Sequence, residues 1–419
     1  MKRKEEIEMK ITPVKGTNDY LPKEALIRDY LQSVILKTYQ SYGFERIMTP
    51  IIEDVENLDK SEGGENLNLI FKVLKRGDKL AKALESQNEK DLSDIGLRYD
   101  LTLPLTRYYA NNRAKLVSPF KCIQIDKVYR AERPQKGRLR EFIQCDIDII
   151  GTKSSNAEVE LINTTANALM NIGLNNFRIK INDRVLLRTI LTKAGFLEEQ
   201  LDSVCISFDK LDKIGAEGVK EELIAKEFDE SAINELMKIL EKTPFTLEQA
   251  KEYVGEIECI QSLENIMSAI ESISDGKYDV VYDMTLVRGQ GYYTGTVFEV
   301  ESPDFKGAIA GGGRYDNLIG KFINEDVPAV GFSIGFERIF GILMESNFKI
   351  PDSKKKIAVI YDADNIKAAL KTADSFRDEY DVALYEKVKK VGKLIDKLEA
   401  AGFDGFYIDG QSEEIKMFS

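Results

Sequence analysis

Arginines and carboxylates are the residues of this chain that could do chemistry. The 419 residues include no histidine and no tryptophan. Without histidine the chain can form no Ser-His-Asp or Cys-His catalytic pair and no histidine-ligated zinc or haem site. Its chemistry must therefore depend on carboxylates, guanidinium groups, hydroxyls and backbone dipoles.

A group of cationic side chains lies in the loop AERPQKGRLR, which directly follows Arg130. A basic run on its own is more often a solvated loop. Here apolar, strand-like sequence flanks the loop and would fix Arg130 at the rim of a sheet, where a planar guanidinium can hold a phosphate through two hydrogen bonds. The loop therefore favours a phosphate-binding site.

Two further arginines lie in glycine-containing segments, Arg288 in RGQGYYTG and Arg338 in GFSIGFERIF. With Asp100 in LRYDLT and Asp148 in QCDIDIIG, they would suit an anionic triphosphate beside a cationic amino acid. Simpler roles stay open, because Asp100 could be a helix N-cap or turn residue and Asp148 a strand residue facing solvent.

The elements that must position these groups follow from hydrophobic spacing. A helix is predicted to begin at Pro22 and to end at Gly43. The runs FKCIQIDKVYR and EFIQCDIDIIG alternate like strands, so they predict an antiparallel hairpin around the basic loop. The segment VGFSIGFERIFGILM predicts a strand that leads into a helix.

Changes in composition divide the chain into four predicted segments. Residues 1–197 and 275–347 are mixed strand, helix and glycine-rich sequence, and residues 198–274 are charged helical sequence that we interpret as an inserted module. Residues 353–419 alternate between strand and helix, which is typical of a small α/β domain with a parallel sheet.

The composition of the whole chain limits its location and partners. The net charge of −12 argues against nucleic-acid binding over the whole surface but allows a local basic patch. The N-terminal MKRKEEIEMK lacks the apolar stretch of a signal peptide, and no run approaches the length of a membrane span, so we expect a cytoplasmic protein without a membrane partner. The cysteines are widely spaced along the chain, which predicts that they are buried, reduced thiols. They are Cys122, Cys145, Cys205 and Cys259.

An ordered series of segments resembles the histidyl-tRNA synthetases, a family of class II aminoacyl-tRNA synthetases. The similarity covers residues 11 to about 345, and the series is KGTNDYLP, FERIMTPIIED, LRYDLTLPLTR, VYRAERPQKGRLREFIQCDIDIIG, LVRGQGYYTGTVFE, AGGGRYDNLIG and VGFSIGFERI. The resemblance implies an α+β fold with a mainly antiparallel sheet and flanking helices. It also implies that residues 1–197 and 275–347 form the catalytic core and that residues 353–419 form a short domain like an anticodon-binding domain.

The resemblance assigns the nucleotide-binding residues by position. It places Arg130 on the α-phosphate of ATP, Glu132 at the adenine edge and Phe142 on the adenine face. Arg338 would lie against the nucleotide and its terminal phosphate. Arg288 would neutralise the histidine carboxylate and the α-phosphate where they react, so the implied catalytic residues are Arg130 and Arg288.

The amino-acid and tRNA contacts are assigned in the same way. The α-amino group of histidine would be bound by Asp100, Thr102 and Gln144, and the two imidazole nitrogens by Asp148 and Tyr293. The remaining assignments are Tyr292 and Arg288 for histidine, and Gln135, Lys136 and Arg138 for the end of the tRNA.

The function that the resemblance implies is that of a histidine–tRNA ligase acting as a cytoplasmic homodimer. It would activate histidine with ATP and Mg²⁺ to histidyl-adenylate and transfer the histidyl group to the 3′ end of tRNA(His), with no protein side chain assigned to a metal. The carboxylate of histidine is already a nucleophile at neutral pH. Catalysis therefore needs two anions held in line with their repulsion cancelled, which arginines and magnesium can supply.

Two features depart from the family pattern. Gly291 stands where the family usually has an acidic residue, and the C-terminal segment ends early, which predicts tRNA charging that depends little on the anticodon. They leave two alternatives open: a ligase with a different acceptor, and a non-catalytic histidine-binding paralogue like the regulatory subunit of ATP phosphoribosyltransferase. Such paralogues usually lose the arginine corresponding to Arg288, so its presence favours the ligase.

Overall fold

The computed structural model describes residues 11–59, 69–135, 138–242, 244–287 and 291–418. These residues form two compact units. One comprises the described residues up to Asp19 together with Arg28–Ser346, and the other comprises Tyr20–Ile27 and the described residues from Asn347 onward.

The strands and helices are numbered along the described chain. The strands are β1 (Glu45–Arg46), β2 (Ile52–Asp54), β3 (Phe71–Val73), β4 (Ile95–Leu97), β5 (Phe120–Tyr129), β6 (Glu141–Ile150), β7 (Arg178–Asp183), β8 (Asp279–Tyr282), β9 (Thr296–Ser302), β10 (Phe305–Arg314), β11 (Ala329–Gly335), β12 (Lys355–Tyr361), β13 (Tyr380–Glu386), β14 (Gly405–Ile408) and β15 (Lys416–Met417). The helices are α1 (Pro22–Ser41), α2 (Val55–Leu58), α3 (Gly77–Glu85), α4 (Thr102–Asn112), α5 (Asn156–Ile172), α6 (Arg184–Ala194), α7 (Leu201–Phe208), α8 (Leu211–Ala225), α9 (Glu230–Leu240), α10 (Leu247–Val254), α11 (Glu258–Ser274), α12 (Gly320–Ile323), α13 (Phe336–Glu345), α14 (Ile366–Phe376) and α15 (Val391–Ala400).

An eight-stranded sheet forms the centre of the larger unit, in the order β1-β5-β6-β11-β10-β9-β7-β8. The two edge pairs, β1 with β5 and β7 with β8, are parallel. The inner pairs are antiparallel. The predicted α+β fold with a mainly antiparallel sheet is therefore confirmed. The chain between β1 and β5 forms a second, small antiparallel sheet in the order β2-β4-β3.

Strands β5 and β6 form the predicted antiparallel hairpin, paired from Phe120 opposite Ile150 to Tyr129 opposite Glu141. Side chains alternate between the two faces of a strand. On β6 the apolar residues Cys145 and Ile147 are fully buried on one face. The other face carries polar side chains, and these form the floor of the site described below.

Other elements follow the sequence pattern. Helix α1 begins at Pro22 as predicted and ends at Ser41, and Gly43 has a φ of 82° just beyond it. Strand β11 leads directly into α13, as VGFSIGFERIFGILM predicts. The predicted helical module, residues 198–274, contains helices α7–α11, which come between the adjacent strands β7 and β8.

The smaller unit contains a four-stranded sheet in the order β13-β12-β14-β15. Strand β12 pairs parallel with β13 and β14, as the strand–helix alternation predicts, and β15 adds an antiparallel edge. Its core includes Ala358, Ile360, Leu398 and Phe403.

The cysteines and helices bear on two further expectations. All four cysteines are free thiols; Cys122, Cys145 and Cys205 are buried as predicted. Cys259, in the first turn of α11, is only partly buried, which differs from the prediction. Among the helices of the described chain, none combines the length and apolar character that crossing a membrane requires.

Candidate active site

A cavity of about 390 Å³ lies in the larger unit, over the polar face of β6. Strands β6, β10 and β11, the start of α4 and the start of α13 supply most of its wall. The predicted site residues that line it are Asp100, Thr102, Arg130, Glu132, Arg138, Phe142, Gln144, Asp148, Tyr292, Tyr293 and Arg338.

Among the predicted residues that the structure describes, Gln135 alone is not one of those that line the cavity. Gln135 lies in the loop between β5 and β6, where its backbone exchanges two hydrogen bonds with that of Arg138, at 3.0 and 2.9 Å. Arg288 and Lys136 lie outside the described residues. The individual roles predicted for the site residues stay predictions.

Arg130 follows β5 directly and is held in place by two backbone groups. Its backbone N–H donates to the Arg140 carbonyl at 2.9 Å. Its side-chain Nε donates to the Tyr99 carbonyl at 3.0 Å, and its guanidinium carbon lies 4.9 Å from the centre of the Phe142 ring. A guanidinium and an aromatic face are therefore adjacent in the cavity, which suits a phosphate and a purine base.

Arg98 fixes the segment that leads to Asp100 against the hairpin. Its side chain is fully buried, with Nε donating to the Lys127 carbonyl at 2.9 Å and Nη1 to the Thr49 carbonyl at 2.8 Å. Nη2 lies 2.8 Å from a carboxylate oxygen of Asp126. A buried guanidinium requires such partners, and these partners join β4 to β5. Sequence reasoning missed this residue, because arginine is among the side chains least often buried.

Asp100 lies at the start of α4, with one carboxylate oxygen paired and the other unpaired. Its Oδ1 accepts a hydrogen bond from the Leu103 backbone N–H at 3.2 Å, at the start of α4. Its Oδ2 is buried and has no hydrogen-bond partner among the described residues. Burial raises the pKa of Asp100 to about 6, and the hydrogen bond from Leu103 and the charge of Arg130 limit the rise. One oxygen thus serves the helix, and the other is available to a ligand.

Asp148 does not face solvent, so the alternative that it is a solvent-facing strand residue is wrong. The residue is 3% exposed and lies opposite Gly331 of β11, and the Tyr315 hydroxyl donates to its Oδ1 at 2.7 Å. A Cβ at position 331 would lie 2.0 Å from this oxygen, so only glycine leaves room for the carboxylate. Burial raises the pKa of Asp148 to about 7, and the charge of Asp100 adds to the rise while the Tyr315 hydrogen bond opposes it.

Aromatic side chains close the same end of the cavity. Tyr292 is buried and lies edge-on to Tyr293 and Tyr315, with ring centres 4.9 and 5.9 Å away. Burial raises the pKa of Tyr292 well above its usual range, so its hydroxyl stays neutral, and it hydrogen bonds with Thr102. Sequence reasoning gave no role to Tyr315, because nothing in the segment GGGRYD indicates a contact with strand β6, which is distant in sequence.

Glu337 and Arg338 begin α13 and line the cavity together. Glu337 accepts two hydrogen bonds from the Arg28 guanidinium, at 2.6 and 2.8 Å, and one from the Ile143 backbone N–H at 3.2 Å. These bonds tie α13 to α1 and β6. The Arg338 guanidinium donates to the Ala308 carbonyl and lies 5.7 Å from the centre of the Phe305 ring. Arg338 is therefore positioned in the cavity by defined contacts, as Arg130 is.

Asp146 also lines the cavity, and sequence reasoning gave it no role. It lies between Gln144 and Asp148 on the same face of β6, and the alternation of strand residues could have identified it. In the described part of the chain no group of three or more acidic or cysteine side chains is arranged to hold a metal ion. The buried carboxylates of the cavity, Asp100, Asp146 and Asp148, form an acidic pocket.

Comparison with known proteins agrees with this geometry. The family model of histidyl-tRNA synthetase matches residues 16–339. A histidine–tRNA ligase of Leifsonia xyli subsp. xyli is 39% identical over 430 residues, which cover 97% of each chain. The crystal structure of histidyl-tRNA synthetase from Nostoc sp. PCC 7120 is 26% identical and superposes with a TM-score of 0.78, covering 95% of this chain and 91% of that one.

A structure of an ATP phosphoribosyltransferase regulatory subunit/histidyl-tRNA synthetase from Bacillus halodurans has a TM-score of 0.77 at 21% identity, covering 96% of this chain and 98% of that chain. At this identity the likeness shows the fold alone. The sheet, its hairpin and the strand–helix unit that carries Arg338 define a class II aminoacyl-tRNA synthetase core. Within that class, the chain belongs to the histidyl-tRNA synthetase family.

Proposed function

We propose that this chain is a histidine–tRNA ligase that acts in protein biosynthesis. It joins histidine to ATP, giving histidyl-adenylate and pyrophosphate, and transfers the histidyl group to the 3′ end of tRNA(His). One observation carries the proposal: a single cavity is lined at once by the arginines Arg130 and Arg338 and by the buried carboxylates Asp100 and Asp148. A cavity of this kind suits a polyanion and a cationic amino acid side by side.

ATP binds at the hairpin end of the cavity. Arg130 holds the α-phosphate, Phe142 lies against the adenine face, Glu132 meets the adenine edge and Arg338 meets the terminal phosphate. Mg²⁺ enters as part of the ATP complex, since magnesium is usually bound by substrate phosphates with few protein ligands. The absence of an acidic metal-binding group among the described residues is compatible with this route.

Histidine binds over β6. Its α-amino group is taken by Asp100, Thr102 and Gln144, and its imidazole nitrogens by Asp148 and Tyr293, with Tyr292 forming the wall. A site built to hydrogen bond both nitrogens leaves its own polar groups unpaired around an apolar analogue. Such sites reject analogues by about 10⁴ to 10⁵ without editing.

The chemical step is attack of the histidine carboxylate on the α-phosphorus of ATP, with pyrophosphate leaving. Arg130 and Arg288 reduce the repulsion between the two anions and stabilise the charge that develops on the phosphoryl oxygens. A ribose hydroxyl of the terminal tRNA nucleotide then attacks the acyl carbon of the adenylate, and AMP leaves. Gln135, Lys136 and Arg138 of the loop guide the tRNA end, and the protein acts as a homodimer in the cytoplasm.

Pyrophosphate exchange followed by tRNA charging tests the proposal. Purified protein should exchange labelled pyrophosphate into ATP only when histidine and magnesium are present, and should then charge tRNA(His). Folded protein that shows no histidine-dependent exchange would contradict the enzyme assignment and revive the regulatory paralogue. Exchange without charging of tRNA(His) would indicate a ligase with another acceptor.

A further inference from the structure

A third buried carboxylate, that of Asp146, lies in the cavity between Gln144 and Asp148. The residue is 5% exposed. The Ser333 hydroxyl, opposite it on β11, hydrogen bonds to the carboxylate. The Oδ1 atom of Asp146 has no hydrogen-bond partner within the described chain.

The neighbours of Asp146 do not supply the missing partner. Gln124 lies opposite it on β5, but its Nε2 donates to the Leu101 carbonyl at 2.9 Å and its Oε1 accepts from the Thr49 hydroxyl at 3.2 Å. A buried carboxylate oxygen without a partner destabilises the folded protein unless a proton or a ligand satisfies it. Burial and the charge of Asp148 accordingly raise the pKa of Asp146 well above its usual range.

The described side chains that line the cavity contain three buried oxygen atoms without a partner, Asp100 Oδ2, Gln144 Oε1 and Asp146 Oδ1. The described residues include no group of three or more acidic or cysteine side chains arranged for a metal ion. An ammonium group offers three N–H donors, carries a full positive charge and needs three acceptors. The number of acceptors and their charge therefore match one ammonium group.

The imidazole of a bound histidine is a poorer match for Asp146 than its α-ammonium group is. Residues two apart on one face of a strand lie about 6.5 to 7 Å from each other. Asp146 is therefore one step closer than Asp148 to Gln144, the residue assigned to the α-amino group. Asp146 also interacts electrostatically with Asp100 and Arg130, though less strongly than with Asp148.

We propose that Asp146 is a specificity-determining residue that accepts a hydrogen bond from the α-ammonium group of the bound amino acid through Oδ1, beside Asp100 and Gln144. This inference rests on the proposed function, because it takes histidine as the ligand. It assigns the recognition of the ammonium charge to two carboxylates instead of one. The Thr102 hydroxyl, which is shared with Tyr292, then needs to contribute less to this group.

The test compares two ligands that differ only in the α-amino group. Histidine and 3-(imidazol-4-yl)propanoate are titrated calorimetrically into the wild type, Asp146→Asn and Asp146→Ala. A hydrogen bond to a charged group predicts that both substitutions raise the Kd of histidine by about ten- to a hundredfold. The Kd of the des-amino ligand should stay within about twofold of the wild-type value, since that ligand lacks the donor.

Glu141→Gln is the matched control, because Glu141 lies on the same strand, pairs with Lys127 at 2.7 Å and does not line the cavity. It should leave both Kd values unchanged.

Ser333→Ala is a second variant in case Asp146 variants do not fold; loss of the orienting hydroxyl should weaken histidine binding and spare the des-amino ligand. If the Asp146 substitutions weaken the binding of both ligands equally, or of neither, the inference is overturned and the proposed function is unaffected. Wild-type protein that binds no histidine would overturn the proposed function and the inference together.

Discussion

The Tyr315 hydroxyl donates a hydrogen bond of 2.7 Å to Oδ1 of Asp148, across 167 positions of the sequence. The bond fixes the orientation of a carboxylate that burial would otherwise leave as a neutral acid. It joins the loop after β10 to the C-terminal part of β6. The hydrogen bond from Tyr315 lowers the pKa of Asp148 and so increases its ionised fraction, at the end of the cavity where we place the imidazole.

Replacing Tyr315 by Phe should weaken histidine binding near neutral pH. The hydrogen bond stabilises the ionised carboxylate, so its loss raises the pKa of Asp148 above about 7 and leaves less of the ionised form at pH 7. We expect the KM for histidine in pyrophosphate exchange to rise about tenfold at pH 7 and to recover partly at higher pH. Tyr108→Phe, at a half-buried site in the same core cluster, is the control. An unchanged KM at pH 7 would exclude this role for Tyr315.

Asp148→Asn should stabilise the ligand-free protein at high pH. Burial raises the pKa of Asp148 from 3.8 to about 7, and the charge of Asp100 contributes to the rise. A carboxyl whose folded-state pKa is raised stabilises the fold below its unfolded pKa and loses this contribution as pH rises through its folded pKa. The free energy of unfolding of the variant, relative to wild type, should therefore rise by up to about 4 kcal/mol between pH 4 and pH 8. Urea unfolding at the two pH values measures this, and a constant difference would contradict it.

The sequence predicted the elements of the site better than the contacts between them. Hydrophobic alternation was enough for the β5–β6 hairpin, and the strand–helix pattern was enough for β11 and α13, because both signals are local. Alternation on β6 would also have placed Asp146 beside Asp148. The roles of Arg98 and Tyr315 depend on partners far away in sequence, and no local pattern contains that information.

Gly331→Ala should disable the amino-acid pocket while the fold is retained. A Cβ at this position would lie 2.0 Å from Asp148 Oδ1, so the carboxylate must move. We expect the histidine kcat/KM in exchange to fall by about a hundredfold, as when a substrate-positioning group is displaced by about 1 Å.

Gly341→Ala is the matched control for this substitution, because Gly341 lies within α13 and an added Cβ meets no atom within 4 Å. It should leave exchange unchanged and raise the free energy of unfolding by about 0.5 to 1 kcal/mol, since alanine favours a helix over glycine. Equal effects of the two substitutions on exchange would rule out a specific clash with Asp148.

The segment that leads to Arg288 is anchored to strand β7. The Asn182 side-chain nitrogen donates to the carbonyls of Met284 and Leu286, at 3.1 and 3.0 Å. Lys180, two residues earlier on β7, lies 3.0 Å from a carboxylate oxygen of Asp283. These contacts hold the chain up to two residues before Arg288. We therefore expect the position of Arg288 to depend on Asn182.

Arg288→Ala should lower the kcat of histidine-dependent exchange by about 10² to 10³, the loss that follows removal of one preorganised charge-stabilising donor. The KM for ATP should change much less, because Arg130 and Arg338 remain to bind the nucleotide. Asn182→Ala should show a smaller loss in kcat, because it loosens the segment without removing the charge. Arg113→Ala, at an exposed ion pair with Glu325, should leave exchange unchanged. Near-normal exchange by Arg288→Ala would remove this arginine from the chemical step, whereas a loss confined to KM would place it in ground-state binding alone.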